Sequence, residues 1–146
     1  MTNTTAPSAS ASLGLLVLRV VVGLIFAAHG AQKIFEYTLP GTIGSFADMG
    51  VPLPEIAAPV VACIELIGGV LLALGLFVRP VGILLAIDML VAIILVHLPA
   101  GLWVGEGGYE FVAVLGVAAL ALAFTGAGRF SLDGAFLRGR VPAWLS

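Results

Sequence analysis

The chain has 146 residues, 61% of them hydrophobic and only 10% charged, with a formal net charge of −2. A soluble domain of this length needs about a quarter of its residues charged, and a mean hydropathy of +1.21 makes lipid the natural solvent instead. The acidic balance argues against a nucleic-acid partner. A single cysteine, Cys63, excludes an internal disulfide and dithiol chemistry within one chain, and it reads as a small buried apolar residue.

Residues 1–12 are rich in Thr, Ser and Ala, with no charged side chain. They lack the basic region that opens a signal peptide and read as a disordered tail. The sequon Asn3-Thr4-Thr5 is incidental. Residues 13–127 then form one domain of four apolar runs. The first covers 13–34, interrupted by Arg19 and closed by His29-Gly30-Ala31-Gln32-Lys33. The second covers 56–77 and contains Glu65. The third covers 81–98, contains Asp88 and ends with His97. The fourth covers 109–124 and opens with Glu110. A helix needs about 20 residues to cross the hydrocarbon core, which all four approach. The expected fold is all-α, an integral membrane four-helix bundle.

The linkers set its geometry. Residues 36–55 hold several Pro and Gly, and 43–49 is expected to make a short interfacial helix. Arg79-Pro80 is read as a tight turn that makes runs two and three an antiparallel hairpin. The loop 99–108 is Gly-rich and carries Trp103, an interface anchor. Residues 128–146, with Arg138, Arg140 and Trp144, read as a basic segment lying on the membrane surface. Arg79, Arg129, Arg138 and Arg140 fall on one side and Lys33 alone on the other, which predicts both termini cytoplasmic.

Charges inside the spans are costly in lipid, about 2.5–3.5 kcal/mol each on insertion scales, so they face the bundle interior. At about 1.5 Å per residue, Arg19, Glu65 and Asp88 each lie roughly 15 Å from the outer surface. They are expected to share one midplane level, with Arg19 paired to Glu65, Asp88 or both. Two roles stand open: an ion pair fixing helix register, or a proton relay. Asp88 could equally contact a neighbouring protomer. A second level forms an outer mouth of His29, Lys33, His97 and Glu110. These are either ordinary interfacial residues or a site that holds and protonates an anion or a quinone oxygen. Asp88 and His97 are nine residues apart, on opposite faces of a regular helix. The two histidines also suggest bis-histidine haem, though both lie at helix ends rather than within the bundle, and His29, His97 and Glu110 suggest a metal site; no metal or catalytic residue is assigned.

The motifs Leu18-Arg19-Val20-Val21-Val22-Gly23-Leu24-Ile25-Phe26, His29-Gly30-Ala31-Gln32-Lys33, Glu65-Leu66-Ile67-Gly68-Gly69, Gly75-Leu76-Phe77-Val78-Arg79, then His97, Glu110 and Gly126-Ala127-Gly128-Arg129-Phe130-Ser131-Leu132-Asp133 occur in order from about residue 13 to 133. In this ordered set the sequence resembles the DoxX family of small bacterial membrane proteins. The resemblance implies a four-helix bundle in the bacterial cytoplasmic (inner) membrane. It also implies association with quinone-linked oxidation, redox homeostasis or, in distant relatives, assembly and trafficking. Asp88 departs from the family's pattern, which has an apolar residue there in many members.

Three functions follow as expectations. The first is a quinone-associated subunit of a redox complex: quinone is the one cofactor expected, and a partner redox protein supplies electrons, since no flavin or iron–sulfur motif is present. At most the chain is an oxidoreductase subunit that depends on that partner. The second is a non-enzymatic assembly factor or scaffold. The third is a small proton-coupled transporter, which with so few spans requires a homo-oligomer.

Overall fold

The computed structural model describes residues 8–137; residues 1–7 of the expected tail and the surface segment with Arg138, Arg140 and Trp144 fall outside them. The expected tail runs to residue 12, but Ala9–Ser12 already form the first turn of a helix, with the Ser8 side chain accepting from Ala11 N. The described residues are helical, with no strand. Helix α1 spans Ala9–Ala31 and continues as a widened turn over Gln32–Glu36. Helix α2 spans Leu39–Asp48 and α3 Pro54–Leu74. Helix α4 spans Val78–Ala92 and continues through a second widened turn, Ile93–His97, into a tight turn at Leu98–Ala100. Helix α5 spans Glu110–Thr125, and a short wide-turn helix, Asp133–Leu137, follows.

Three of these helices are long and apolar enough to cross a membrane: Ala9–Glu36, Pro54–Leu74 and Val78–Ala100. Helix α5 is equally apolar, but its 16 residues make about 24 Å of helix, short of the ~30 Å hydrocarbon core. The outer faces are those of a protein solvated by lipid. Val114, Val117 and Phe124 on α5 are each two thirds or more exposed, and Val17, Val21 and Leu24 on α1 more than half. Continuous apolar faces of this kind do not survive in water. Cys63 belongs to such a face: it is exposed on α3, contrary to the expectation that it is buried.

The helices pack as two pairs. Helix α1 lies chiefly on α3, and α4 on α5. Between helices in lipid, association depends on close packing, so small residues line the contact. Gly23, Ala27 and Gly30 of α1 meet Ala62, Leu66, Gly69 and Ala73 of α3 backbone to backbone. A Cβ added at Gly23 would sit 2.6 Å from Gly69 O, and one at Gly30 would strike the Leu66 backbone. In the second pair, Gly82 leaves the same kind of gap for Ala119 and Ala123. Phe26, Leu72, Leu85, Leu115 and Leu122 fill the space where the pairs meet.

The joint between α3 and α4 differs from expectation. The turn is Gly75–Phe77, and Arg79-Pro80 lies in the first turn of α4, where a proline costs no intrahelical bond. Gly75 takes φ 72° and Phe77 φ 52°. The segment after α5 folds back to hold this turn. Asp133, 2% exposed, accepts from Phe77 N (2.9 Å) and Val78 N (3.2 Å), capping the positive end of α4 from a distant part of the chain. Asp133 N donates to Gly75 O at 2.9 Å. Arg19, buried at 2%, donates to the carbonyl oxygens of Ala73 and Phe130, tying α1 to both. Arg79 donates to Ala123 O (3.3 Å) and Phe124 O (3.1 Å), which closes the carbonyl end of α5.

Replacing Gly30 by Val should force α1 off α3 and cost about 1–3 kcal/mol or more, read as a lowered thermal midpoint in detergent. Gly14→Val, where nothing lies within 4 Å, should leave the midpoint unchanged.

Candidate functional site

Between the two helix pairs, away from the α3–α4 turn, lies a cavity of about 550 Å³. Its size is that of a small-molecule site, commonly ~300–1,000 Å³. The walls are mostly apolar: Phe26 from α1, Ala57 and Val61 from α3, Met89, Val91 and Leu95 from α4, and Val112 and Leu115 from α5. Phe46 and Met49, with Val51 and Pro52 just after α2, form a cover. Five polar side chains reach in: His29, Lys33, Glu65, Asp88 and His97.

Lys33 and Glu65 form a salt bridge between the end of α1 and the middle of α3. Glu65 is 6% exposed, so its charge is almost wholly withdrawn from solvent and depends on Lys33. Lys33 reaches it from the widened turn Gln32–Glu36, whose last bond runs from Tyr37 N to Gln32 O at 2.9 Å. Thr42 of α2, buried at 3%, anchors that turn by donating from its Oγ1 to Lys33 O at 2.8 Å. Asp88 is within electrostatic reach of both Glu65 and Lys33. Its Oδ2 is buried with no hydrogen-bond partner among the described residues. An unpaired buried carboxylate oxygen is unusual and marks a place where a donor is missing.

His29 packs its ring against Phe111, with centroids 6.0 Å apart. His97 Nδ1 donates to Gly107 O at 2.7 Å, which leaves Nε2 as the acceptor in the neutral ring. Asp88 and His97 line one cavity despite their nine-residue separation. The widened turn at Ile93–His97 accounts for this, because each residue in it advances the helix by less than the usual angle. Such turns are frequent at functional sites, and here both lie beside the cavity.

Two expectations are corrected. Arg19 pairs with neither Glu65 nor Asp88. The polar stretch from His29 to Lys33 suggests the end of the first helix, but the helix continues through the widened turn to Glu36. Arg19 therefore lies roughly 25 Å of helix below that end, while Glu65 lies about 16 Å from the start of α3 at Pro54. The expected three-charge level separates into Glu65 and Asp88 at the cavity and Arg19 at the turn. Glu110 does not line the cavity either. Its Oε1 accepts from Val104 N at 2.7 Å, holding the 98–110 loop on the N-terminus of α5. Among the described residues, no three of His, Cys, Asp and Glu gather as a metal-binding group.

The sequence model of the DoxX family matches residues 14–98, which takes in most of α1, all of α4 with its widened turn, everything between them and all five polar cavity residues. The chain belongs to the DoxX family. It is 41% identical over 131 residues to a Bacillus subtilis protein named "Putative oxidoreductase CatD", covering 90% of this chain and 92% of the relative. It is 34% identical over 125 residues to the Escherichia coli inner membrane protein YphA, covering 82% and 87%. An uncharacterized membrane protein of Mycobacterium tuberculosis is 34% identical over 131 residues, covering 82% and 78%. No solved structure matches the chain. This DoxX protein is a membrane protein with transmembrane helices, as its spans and its relatives agree.

Sequence reasoning missed Asp133, the carboxylate that caps α4, and Thr42. For Asp133 a signal existed: it is the acidic residue closest in sequence to Arg129 on the side where Arg79 and Arg129 collect. Thr42 is one hydroxyl in a loop of Pro and Gly, and nothing local distinguishes it.

The buried pair makes a sharp prediction. Lys33→Met leaves the Glu65 charge uncompensated and should cost about 3–5 kcal/mol. The double variant Lys33→Met with Glu65→Gln should recover most of the loss in thermal midpoint. Equal destabilisation of single and double variants would contradict the pairing.

Proposed function

We propose that this DoxX protein is a quinone-binding membrane subunit of a redox complex, with the quinone ring held in the cavity between the helix pairs. The observation that carries the reading is the convergence of Lys33, His29, His97 and an unpartnered Asp88 oxygen on one apolar chamber. A quinone ring is flat and apolar, with an oxygen at each end. Its reduction takes up two electrons and two protons, and the quinol so formed presents hydroxyl donors where the quinone had acceptors.

The residues present fit both forms. Lys33 donates to a quinone oxygen, and the neutral ring of His97 accepts through Nε2. The orphan Oδ2 of Asp88 accepts from a quinol hydroxyl. Glu65, held by Lys33, and Asp88 provide carboxylates within reach of each other for passing protons. Electrons come from a partner redox protein docked on the subunit. The oxidoreductase name of the Bacillus relative supports a redox role. In this reading Arg19 has no part in the proton path. It is a structural anchor, and Glu110 a loop clip.

We place the protein in the bacterial cytoplasmic membrane as a multi-pass chain of four spans, α5 being the fourth. The end carrying Arg79 and Arg129 faces the cytoplasm. The cavity then lies nearer the outer surface. Reporter fusions after Ser146 should be active only for a cytoplasmic reporter, and fusions within the 101–108 loop only for a periplasmic one. The reverse pattern would invert the assignment.

Protein extracted in native lipid should carry quinone detectable in an organic extract. His29→Ala and Asp88→Leu should each lower the bound amount by about tenfold, equivalent to one lost interaction of roughly 1.4 kcal/mol. Quinone content at background in the wild type, or unchanged in both variants, would remove the proposal.

A further inference from the structure

Towards α1 and α5 the cavity is lined by large side chains: Phe26 is 1% exposed, and the His29 and Phe111 rings lie tilted at 58° with centroids 6.0 Å apart. Towards α3 and α4 the lining side chains are smaller. Near their turn these two helices touch where Leu85 meets Gly68. Further out, α3 lines the cavity with Ala57 and Val61, and α4 with its widened turn does so with Val91, Ala92, Leu95 and Val96. Val91 and Leu95 line the chamber yet remain 46% and 40% exposed, so no neighbouring helix covers them. Every side chain at this opening is apolar, and both flanking helices are membrane spans. The opening therefore faces acyl chains, not water.

We propose that this α3–α4 opening is the exit for the tail of a long-chain isoprenoid quinone or quinol, so that the ligand enters and leaves sideways from the bilayer. The inference rests on the quinone reading of the cavity and adds the class of ligand and its path. The chamber is polar at Lys33, Glu65 and Asp88 and apolar at Val91 and Leu95, and an amphiphile with a hydrogen-bonding head and a long hydrocarbon chain has that same polarity. A chamber of about 550 Å³ accommodates the ring and the first part of a chain; the remainder has to pass between α3 and α4. The Asp88 oxygen without a partner lies at the head end, one helical turn from Val91 on the same face of α4. A tailless, water-soluble ring would gain nothing from a lipid-facing exit, because burying each methylene contributes about 0.8 kcal/mol that a tail alone supplies.

The test compares a tailless benzoquinone ring with a long-chain ubiquinone on protein in lipid nanodiscs. Wild type should bind the long-chain form at least about tenfold more tightly. Val91→Trp and Leu95→Trp should bring the ratio of long-chain to tailless affinity close to one. Leu84→Trp, exposed on α4 outside the cavity, should alter neither. Should the tryptophan variants fail to fold, Val91→Cys in a Cys63→Ala background provides a small substitution. Its labelling by a membrane-permeant maleimide should be blocked by the long-chain quinone and not by the ring. Ring and long-chain forms losing affinity together, or protection of Val91→Cys by neither or by both, would overturn the tail path while leaving the quinone reading intact. Failure of wild type to bind any member of the series would overturn both.

Discussion

The contact of α1 with α3 is the constraint on which the rest of the structure depends. Gly23, Ala27 and Gly30 bring α1 so close to α3 that backbone meets backbone. In lipid there is no hydrophobic drive to press two helices together, so the depth of this contact has to come from missing side chains. The contact fixes the register of the pair. Register in turn decides which polar groups meet: Lys33 arrives beside Glu65, and Arg19 arrives beside Ala73 and the turn below it. A slip of one helical turn would carry Lys33 away from Glu65 and leave a carboxylate alone in an apolar interior, a state costing several kcal/mol. The small-residue contact and the ion pair thus specify the same alignment.

The polar interior is divided between two ends that do different physical work. At the turn, Arg19, Arg79 and Asp133 bond backbone groups that the helix ends leave unsatisfied. Asp133 holds the start of α4, Arg79 the end of α5, and Arg19 the end of α3 and the segment after α5, with Arg19 Nε left unpaired. At the cavity the polar groups outnumber their partners. Lys33 and Glu65 satisfy each other in part, His97 is fixed through one nitrogen, and one oxygen of Asp88 has nothing. Each end thus keeps a buried polar atom without a partner, Arg19 Nε at the turn and Asp88 Oδ2 at the cavity, and only the second lies on the wall of a chamber.

The two widened turns give that site its shape. Each occurs where a membrane span reaches the cavity mouth, at Gln32–Glu36 and Ile93–His97. Each rotates the residues after it relative to a regular helix. Without the second, Asp88 and His97 would face opposite ways; with it, both line the chamber. The adjustment is local and leaves the long helix faces below it in place, so the lipid-facing surface and the close α1–α3 contact are unaffected.

The sequence by itself determined the solvent, the helices and the polar inventory. Composition alone requires lipid, the apolar runs locate α1, α3, α4 and α5 to within a few residues, and cost in hydrocarbon singles out Arg19, Glu65 and Asp88. Those properties are local: each depends on a residue's own chemistry or that of its immediate neighbours in the chain. Partnership is not local. Whether Arg19 meets Glu65 depends on where α1 ends, and the polar stretch from His29 to Lys33 gives a false end because the helix continues beyond it through a turn of different pitch. Whether His97 joins Asp88 depends on a second such turn, and whether Glu110 points inward depends on a loop bond to Val104. The role of Asp133 required the chain to return to a turn more than fifty residues earlier. Small errors in helix end and phase, about 1.5 Å and 100° per residue, accumulate along a span until they exchange one partner for another, and only the packed structure removes them.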